Sequence, residues 1–195
     1  EEDLLKANMP FKMVGGQRFY ERLEIKDLLA YLRLLVNPTD DFSFRRVVNA
    51  PKRGIGDKSI EKLALFAEMH SFSLLEAAGS PLNGISGKAG KGLADFAQLI
   101  ADLTKMQEFV TLTDLIEEVM NKSGYIASLE QARTMEADAR IDNMREFLSV
   151  AKEFEEQRLD TQAEESPLVQ FLTDLSLVTD MESEEETSTS QITLM

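Results

Sequence analysis

Lys52, Arg53 and Lys58 flank two glycines in the run Pro51-Lys52-Arg53-Gly54-Ile55-Gly56-Asp57-Lys58-Ser59-Ile60, a spacing suited to holding a phosphate. Gly54 and Gly56 can take positive φ without steric cost and let another backbone approach closely. Asp57 or Ser59 can cap a helix expected to begin near Ile60. Backbone amides and the positive end of that helix dipole then converge on one spot, and the neighbouring cations add long-range attraction. Between Phe42 and Lys62, Arg45, Arg46, Lys52, Arg53, Lys58 and Lys62 face only Asp57 and Glu61, a local excess of positive charge in a chain of net charge −14. A second hairpin of the same type is expected at Leu82-Asn83-Gly84-Ile85-Ser86-Gly87-Lys88. Its candidate contacts are Gly84, Gly87, Lys88 and Lys91, with no acid between Asn83 and Gly92. This is the physics of a helix-hairpin-helix element, in which amides and cations hold the backbone of a nucleic acid. The plainer alternative is that both are turns that connect helices.

Other chemistry is absent from the sequence. There is no cysteine and a single histidine, His70, so thiol nucleophiles, thiolate metal sites and multi-histidine centres are excluded. No Gly-x-x-x-x-Gly-Lys-Ser/Thr loop occurs: the spacing from Gly87 to Gly92 is followed by Leu93. No active site, metal or cofactor is expected in this segment by itself. No apolar run approaches the roughly 20 residues of a membrane span, which favours a cytoplasmic setting. The charge is also lopsided: from Glu130 to Met195 there are 17 acidic and 5 basic residues, so contact with a polyanion is expected on one side only.

The elements that must position the hairpins are helical. Met9 to Val14 reads as a short strand ended by Gly15-Gly16, and Ile25, Leu28, Leu29, Leu32, Leu35 and Val36 mark a helix stopped by Asn37-Pro38. A short helix from Phe42 to Asn49 leads into the first hairpin, and Ile60, Leu63, Ala64 and Ala67 mark the next. Ser71 is expected to cap a short helix carrying Leu74 and Leu75. Beyond the second hairpin, helical stripes run through Leu93, Phe96, Ile100 and Leu103, then Leu115, Ile116 and Val119 after a Thr111 capping signal. Ser123-Gly124 breaks the run, and stripes resume at Ile141 to Phe154 and Leu168 to Val178. Glu182 to Ser190 has the composition of a solvated linker, and Gln191 to Met195 alternates like a strand. The fold class is therefore mainly α, with a short strand at each end.

The stretch from Val14 to Arg33, with Asn37 to Arg46 and Asn49-Ala50-Pro51-Lys52-Arg53-Gly54-Ile55-Gly56, closely resembles bacterial superfamily 1 DNA helicases of the PcrA, UvrD and Rep type. It is most similar to the PcrA branch of Gram-positive bacteria, where Ser123-Gly124-Tyr125 and Phe171 to Leu177 also find counterparts. The resemblance implies a segment of an ATP-dependent 3′ to 5′ DNA helicase of repair and replication, in a bacterial, nucleoid-associated setting. Residues 1–36 would be the edge of the second RecA-like α/β motor domain (2A), 37–180 the helical 2B subdomain, 181–190 an acidic flexible linker, and 191–195 the returning motor strand. It further implies that Lys52, Arg53, Gly54, Ile55 and Gly56 contact duplex DNA ahead of a fork, and that 2B regulates unwinding by swivelling. ATP and Mg2+ would bind elsewhere in the parent, whose remaining helicase domains are partners in the same chain, and the segment alone would be inactive. Two rivals stay open: a protein-interaction module docking a basic partner on its acidic helices, and an accessory domain of a nuclease or ligase.

Overall fold

The structure, a computed structural model, describes the backbone of residues 16–159 and 164–193 and the side chains of 18–159 and 164–180. It is helical throughout the described residues: α1 (Gly16–Tyr20), α2 (Leu23–Val36), α3 (Asp41–Val47), α4 (Asp57–His70), α5 (Leu74–Gly79), α6 (Gly87–Met106), α7 (Leu112–Lys122), α8 (Tyr125–Ala132), α9 (Met135–Arg158) and α10 (Pro167–Thr193). The strand expected at Met9 to Val14 lies outside the described residues.

The organising element is α2. Ile25, Leu28, Leu29, Ala30, Tyr31, Leu32, Leu34 and Leu35 are all buried, and only Leu23, Lys26, Arg33 and Val36 of the helix are exposed, so it buries most of its circumference, as a core helix does. It packs against α3, α6, α7, α9 and α10. Asn37 caps α2 at its C-terminus, where the helix-stop signal of Asn37-Pro38 was expected to act. At the far side, Phe171 of α10 packs between Phe147 and Phe154 of α9, with ring centroids 5.7 and 5.1 Å away. Each fully buried residue of this kind contributes about 1.5–3 kcal/mol.

Caps set most boundaries. Side chains of Asp40, Ser73, Thr111 and Thr134 accept from the first-turn amides of α3, α5, α7 and α9. Ser73, not Ser71, caps α5: Ser71 has φ 55° and closes α4. Ser123-Gly124 ends α7 as expected, with Ser123 its C-cap and Gly124 at φ 83°, and α8 follows directly, a helix that the apolar stripes did not mark. The acidic run from Glu182 to Ser190 is not a break either, since α10 continues through it to Thr193. No Gly or Pro interrupts that run, and glutamates propagate a helix well. Gln191, Ile192 and Thr193 form its last turn rather than the start of a strand, while Leu194 and Met195 lie outside the described residues.

Two carboxylates are buried on α2. Glu24 accepts from Asn143 Nδ2 at 2.8 Å. Asp27 pairs with Arg46 Nε at 3.0 Å and accepts from Tyr125 Oη at 2.7 Å, which ties α2 to α3 and α8. Burial pushes the Asp27 carboxyl above its usual range despite these partners, and pushes the Tyr125 phenol up as well. A Tyr125→Phe variant should lose about 1.5–3 kcal/mol at neutral pH, because a charge-assisted bond is lost from a buried carboxylate. The loss should shrink as pH falls through the raised pKa of Asp27, since the protonated carboxyl needs the hydroxyl less. Urea unfolding midpoints measured from neutral pH downward check this; a pH-independent loss would place Tyr125 outside the Asp27 titration.

Candidate nucleic-acid interface

The first hairpin is a loop stapled from behind. Asn49, just past the end of α3, accepts the Arg53 amide at 2.9 Å and the Ile55 amide at 3.4 Å through Oδ1, while its Nδ2 donates to Ile55 O. Two of the amides that were candidates for phosphate are thereby consumed. Those of Gly54, Gly56, Asp57 and Lys58 have no acceptor among the described residues. α4 begins at Asp57, three residues earlier than Ile60. Its N-cap is Gly56, and neither Asp57 nor Ser59 caps it. Gly54 has φ 78° and requires glycine, whereas Gly56 sits at φ −82° in extended backbone. A Cβ at Gly56 would meet nothing within 4 Å, so the space above the start of α4 is open.

The second hairpin follows the same plan. Asn83 accepts the Ile85 amide at 3.0 Å and donates to Ala77 O at 3.0 Å. Gly84 and Gly87 have positive φ and open space around them, and Ser86 leaves the first turn of α6 without a side-chain cap. Uncapped starts also occur at α2 and α8, so this feature alone does not single out the hairpins.

What does single them out is that the two pack together. A Cβ at Gly54 would lie 2.6 Å from Lys88 Cε, so the Lys88 stem crosses the first hairpin. A Cβ at Gly92 would lie 2.8 Å from Arg53 O and 3.2 Å from Ile55 Cγ1. Only glycine lets α6 cross the first loop this closely. Ile55 is 2% exposed and acts as the anchor of that crossing. The structure thus brings Lys52, Gly54, Gly56, Lys58, Gly84, Gly87, Lys88 and Lys91 to the surface of one double hairpin, all of them exposed. These lysines lie beside two helix N-termini, whose free amides favour an anion, with the exposed Asp57 among them.

Arg53 is the exception. Its guanidinium is turned inward: Nη1 donates to Val47 O and Val48 O, both at 2.9 Å, and Nη2 donates to Tyr31 Oη at 2.7 Å and Ser123 O at 3.0 Å. Its Cζ stands 5.0 Å from the centre of the Phe96 ring. Charge counting assigned Arg53 to the phosphate-facing set, and it missed Asn49, Asn83, Tyr31 and Ser123. The two asparagines carry a visible signal, since each precedes its glycine turn. Tyr31 and Ser123 carry none.

A family model of the UvrD-like helicase C-terminal domain matches residues 1–195. The chain belongs to that family. It is 45% identical over 196 residues to "ATP-dependent DNA helicase PcrA" of Staphylococcus aureus (strain COL), 45% identical over 201 residues to the protein of that name from Bacillus subtilis (strain 168), and 43% identical over 196 residues to that of Staphylococcus epidermidis. In each case 100% of this chain is covered and 26% of the relative, so the chain spans about a quarter of the length of these curated relatives.

Elsewhere this helicase C-terminal domain offers little that competes as a site. A cavity of about 310 Å³ lies between α2, α3 and α10 and is lined by Tyr20, Lys26, Arg33, Phe42, Leu172 and Thr179 among others. No cluster of carboxylates and histidine suited to a metal ion occurs among the described residues, and no helix there is long and apolar enough to cross a membrane. His70 is exposed and stacks on Phe72, at 5.6 Å between ring centres.

Proposed function

We propose that this chain is the helical accessory (2B) part of an ATP-dependent 3′ to 5′ DNA helicase, and that the double hairpin contacts duplex or forked DNA through backbone amides and Lys52, Lys58, Lys88 and Lys91. The observation that carries the reading is the packing of the two hairpins, with the Lys88 stem lying across Gly54, which gathers two uncapped helix starts and four exposed lysines on one face. Family membership and the names of the relatives supply the helicase context. ATP and Mg2+ belong to other parts of the parent chain in this reading, and the segment alone neither binds nor hydrolyses nucleotide. Regulation would come from the helical body reorienting as one unit against the motor domains. Two features support that: a single core built around α2, and α10 lining one groove with Tyr20 at Thr179, so that the chain enters and leaves the body on the same side.

The rival reading, a protein-interaction module, places the partner on the acidic helices instead. Anisotropy titrations of a labelled duplex against the 195-residue chain at several salt concentrations separate the two. Under the DNA reading, log affinity falls steeply with log salt, by about 0.9 for each phosphate neutralised, and is insensitive to Glu153→Gln with Glu156→Gln. Glu155 is left intact because it accepts the Thr113 amide at 2.7 Å. No measurable duplex binding at low salt would overturn the proposal.

A further inference from the structure

Arg53 sits inside the basic hairpin, yet its surroundings are those of a structural cation. Val47 and Val48, whose carbonyls it binds at 2.9 Å, are the last residue and C-cap of α3. The carbonyls at a helix end carry partial negative charge that attracts a cation, and Val47 O also accepts the Ala50 amide at 3.0 Å and Tyr31 Oη at 3.3 Å. The other arm of the fork reaches Tyr31 of α2 and Ser123 at the α7–α8 elbow. That elbow also touches the hairpin directly, since a Cβ at Gly124 would meet Pro51 Cγ at 3.5 Å. Phe96 of α6 closes the remaining side of the guanidinium. One side chain therefore joins the first hairpin to α2, α3, α6 and the α7–α8 elbow. A guanidinium presents five N–H donors in a rigid plane, and with these acceptors filling that plane little is left for a phosphate.

Building on the DNA contact proposed above, we infer that Arg53 is a positioning residue: it makes no phosphate contact itself, but fixes the height and tilt of the Lys52–Lys58 loop so that Gly54, Gly56 and Lys58 meet the duplex. Only an arginine can do this, because lysine presents a point charge that cannot span the α3 carbonyls and the Tyr31–Ser123 pair together. Asn49 sets the internal shape of the loop, and Arg53 sets its placement on the body.

The test compares the 195-residue chain with Arg53→Lys, and with Phe147→Leu as a variant destabilised on α9, away from the hairpins. Arg53→Lys should weaken duplex binding by about tenfold at fixed salt while leaving the slope of log affinity against log salt unchanged, since no phosphate contact is lost. Amide hydrogen exchange should quicken by roughly tenfold from Gly54 to Lys58 and stay unchanged in α9. Phe147→Leu should lower the melting temperature without touching either readout at a temperature where both variants are folded. A slope that falls by about one, with unchanged hairpin exchange, would make Arg53 a phosphate ligand and overturn the inference. Equal loss of binding in Phe147→Leu would reduce its role to general stability, which also overturns it. Should the unmodified chain bind no duplex, the proposed function falls, and the exchange comparison alone still decides whether Arg53 holds the loop.

Discussion

Replacing Lys52, Lys58, Lys88 and Lys91 together by glutamine should nearly abolish the salt dependence of duplex binding. Each lysine that neutralises a phosphate contributes about 0.9 to the slope of log affinity against log salt, so removal of all four lowers it by about 3.6. Between about 50 and 200 mM salt the unmodified chain should then lose on the order of 100-fold in affinity, and the variant little beyond its already weak residual binding. Glutamine keeps the Lys88 Cγ over Gly54 and puts an uncharged amide where Cδ and Cε cross the loop. All four residues are exposed, so the melting temperature should hardly move. A variant that keeps both its affinity and its slope would remove the double hairpin from the interface.

The largest effect on stability is expected at Phe96. Its ring is 0% exposed, sits edge-on to Phe44 at 5.5 Å and tilted to Tyr31 at 6.2 Å, and forms one wall of the Arg53 site. Phe96→Ala should cost about 3–5 kcal/mol, combining lost burial with an unfilled cavity. Against a total of about 5–15 kcal/mol for a domain, that brings the chain close to unfolding at physiological temperature. Urea unfolding followed by circular dichroism measures the loss. A cost below about 1.5 kcal/mol, the range of tolerated hydrophobic swaps, would mean that α6 and the first hairpin are not held on one core.

The double hairpin was legible in the sequence because its signals are local: glycines at fixed offsets, cations beside them, and an absence of acids. Its internal wiring was not. Arg53 looks like any other cation in a charge count, and its acceptor at Ser123 lies 70 positions away in the chain, a contact that no spacing rule reaches. The packing of Lys88 on Gly54 is equally nonlocal, although Gly92, which lets α6 approach Arg53 O and Ile55, is a trace of the same crossing in the sequence. At Asn37-Pro38 the helix-stop signal was read correctly, since α2 ends at Val36, whereas the number of elements that pack on that helix depends on nonlocal burial that no local signal carries. The acidic run after Asp180 illustrates the reverse: its composition reads as linker, but nothing in it stops a helix that Pro167 has started. Ser123-Gly124 reads as an interruption and is one, since α7 ends at Lys122 and Gly124 takes the left-handed conformation that terminates helices; what the sequence did not show is that α8 starts again at once.

Position-specific crosslinking tests the central claim most directly. A photoreactive side chain placed at Lys58, at Lys88 or, on the acidic helix α9, at Lys152 would be irradiated with forked DNA bound to the 195-residue chain at low salt. Crosslinks at Lys58 and Lys88, confined to the duplex arm and absent at Lys152, are the expected result. Crosslinks at Lys152 but at neither hairpin would contradict the account, placing the partner on the acidic face instead.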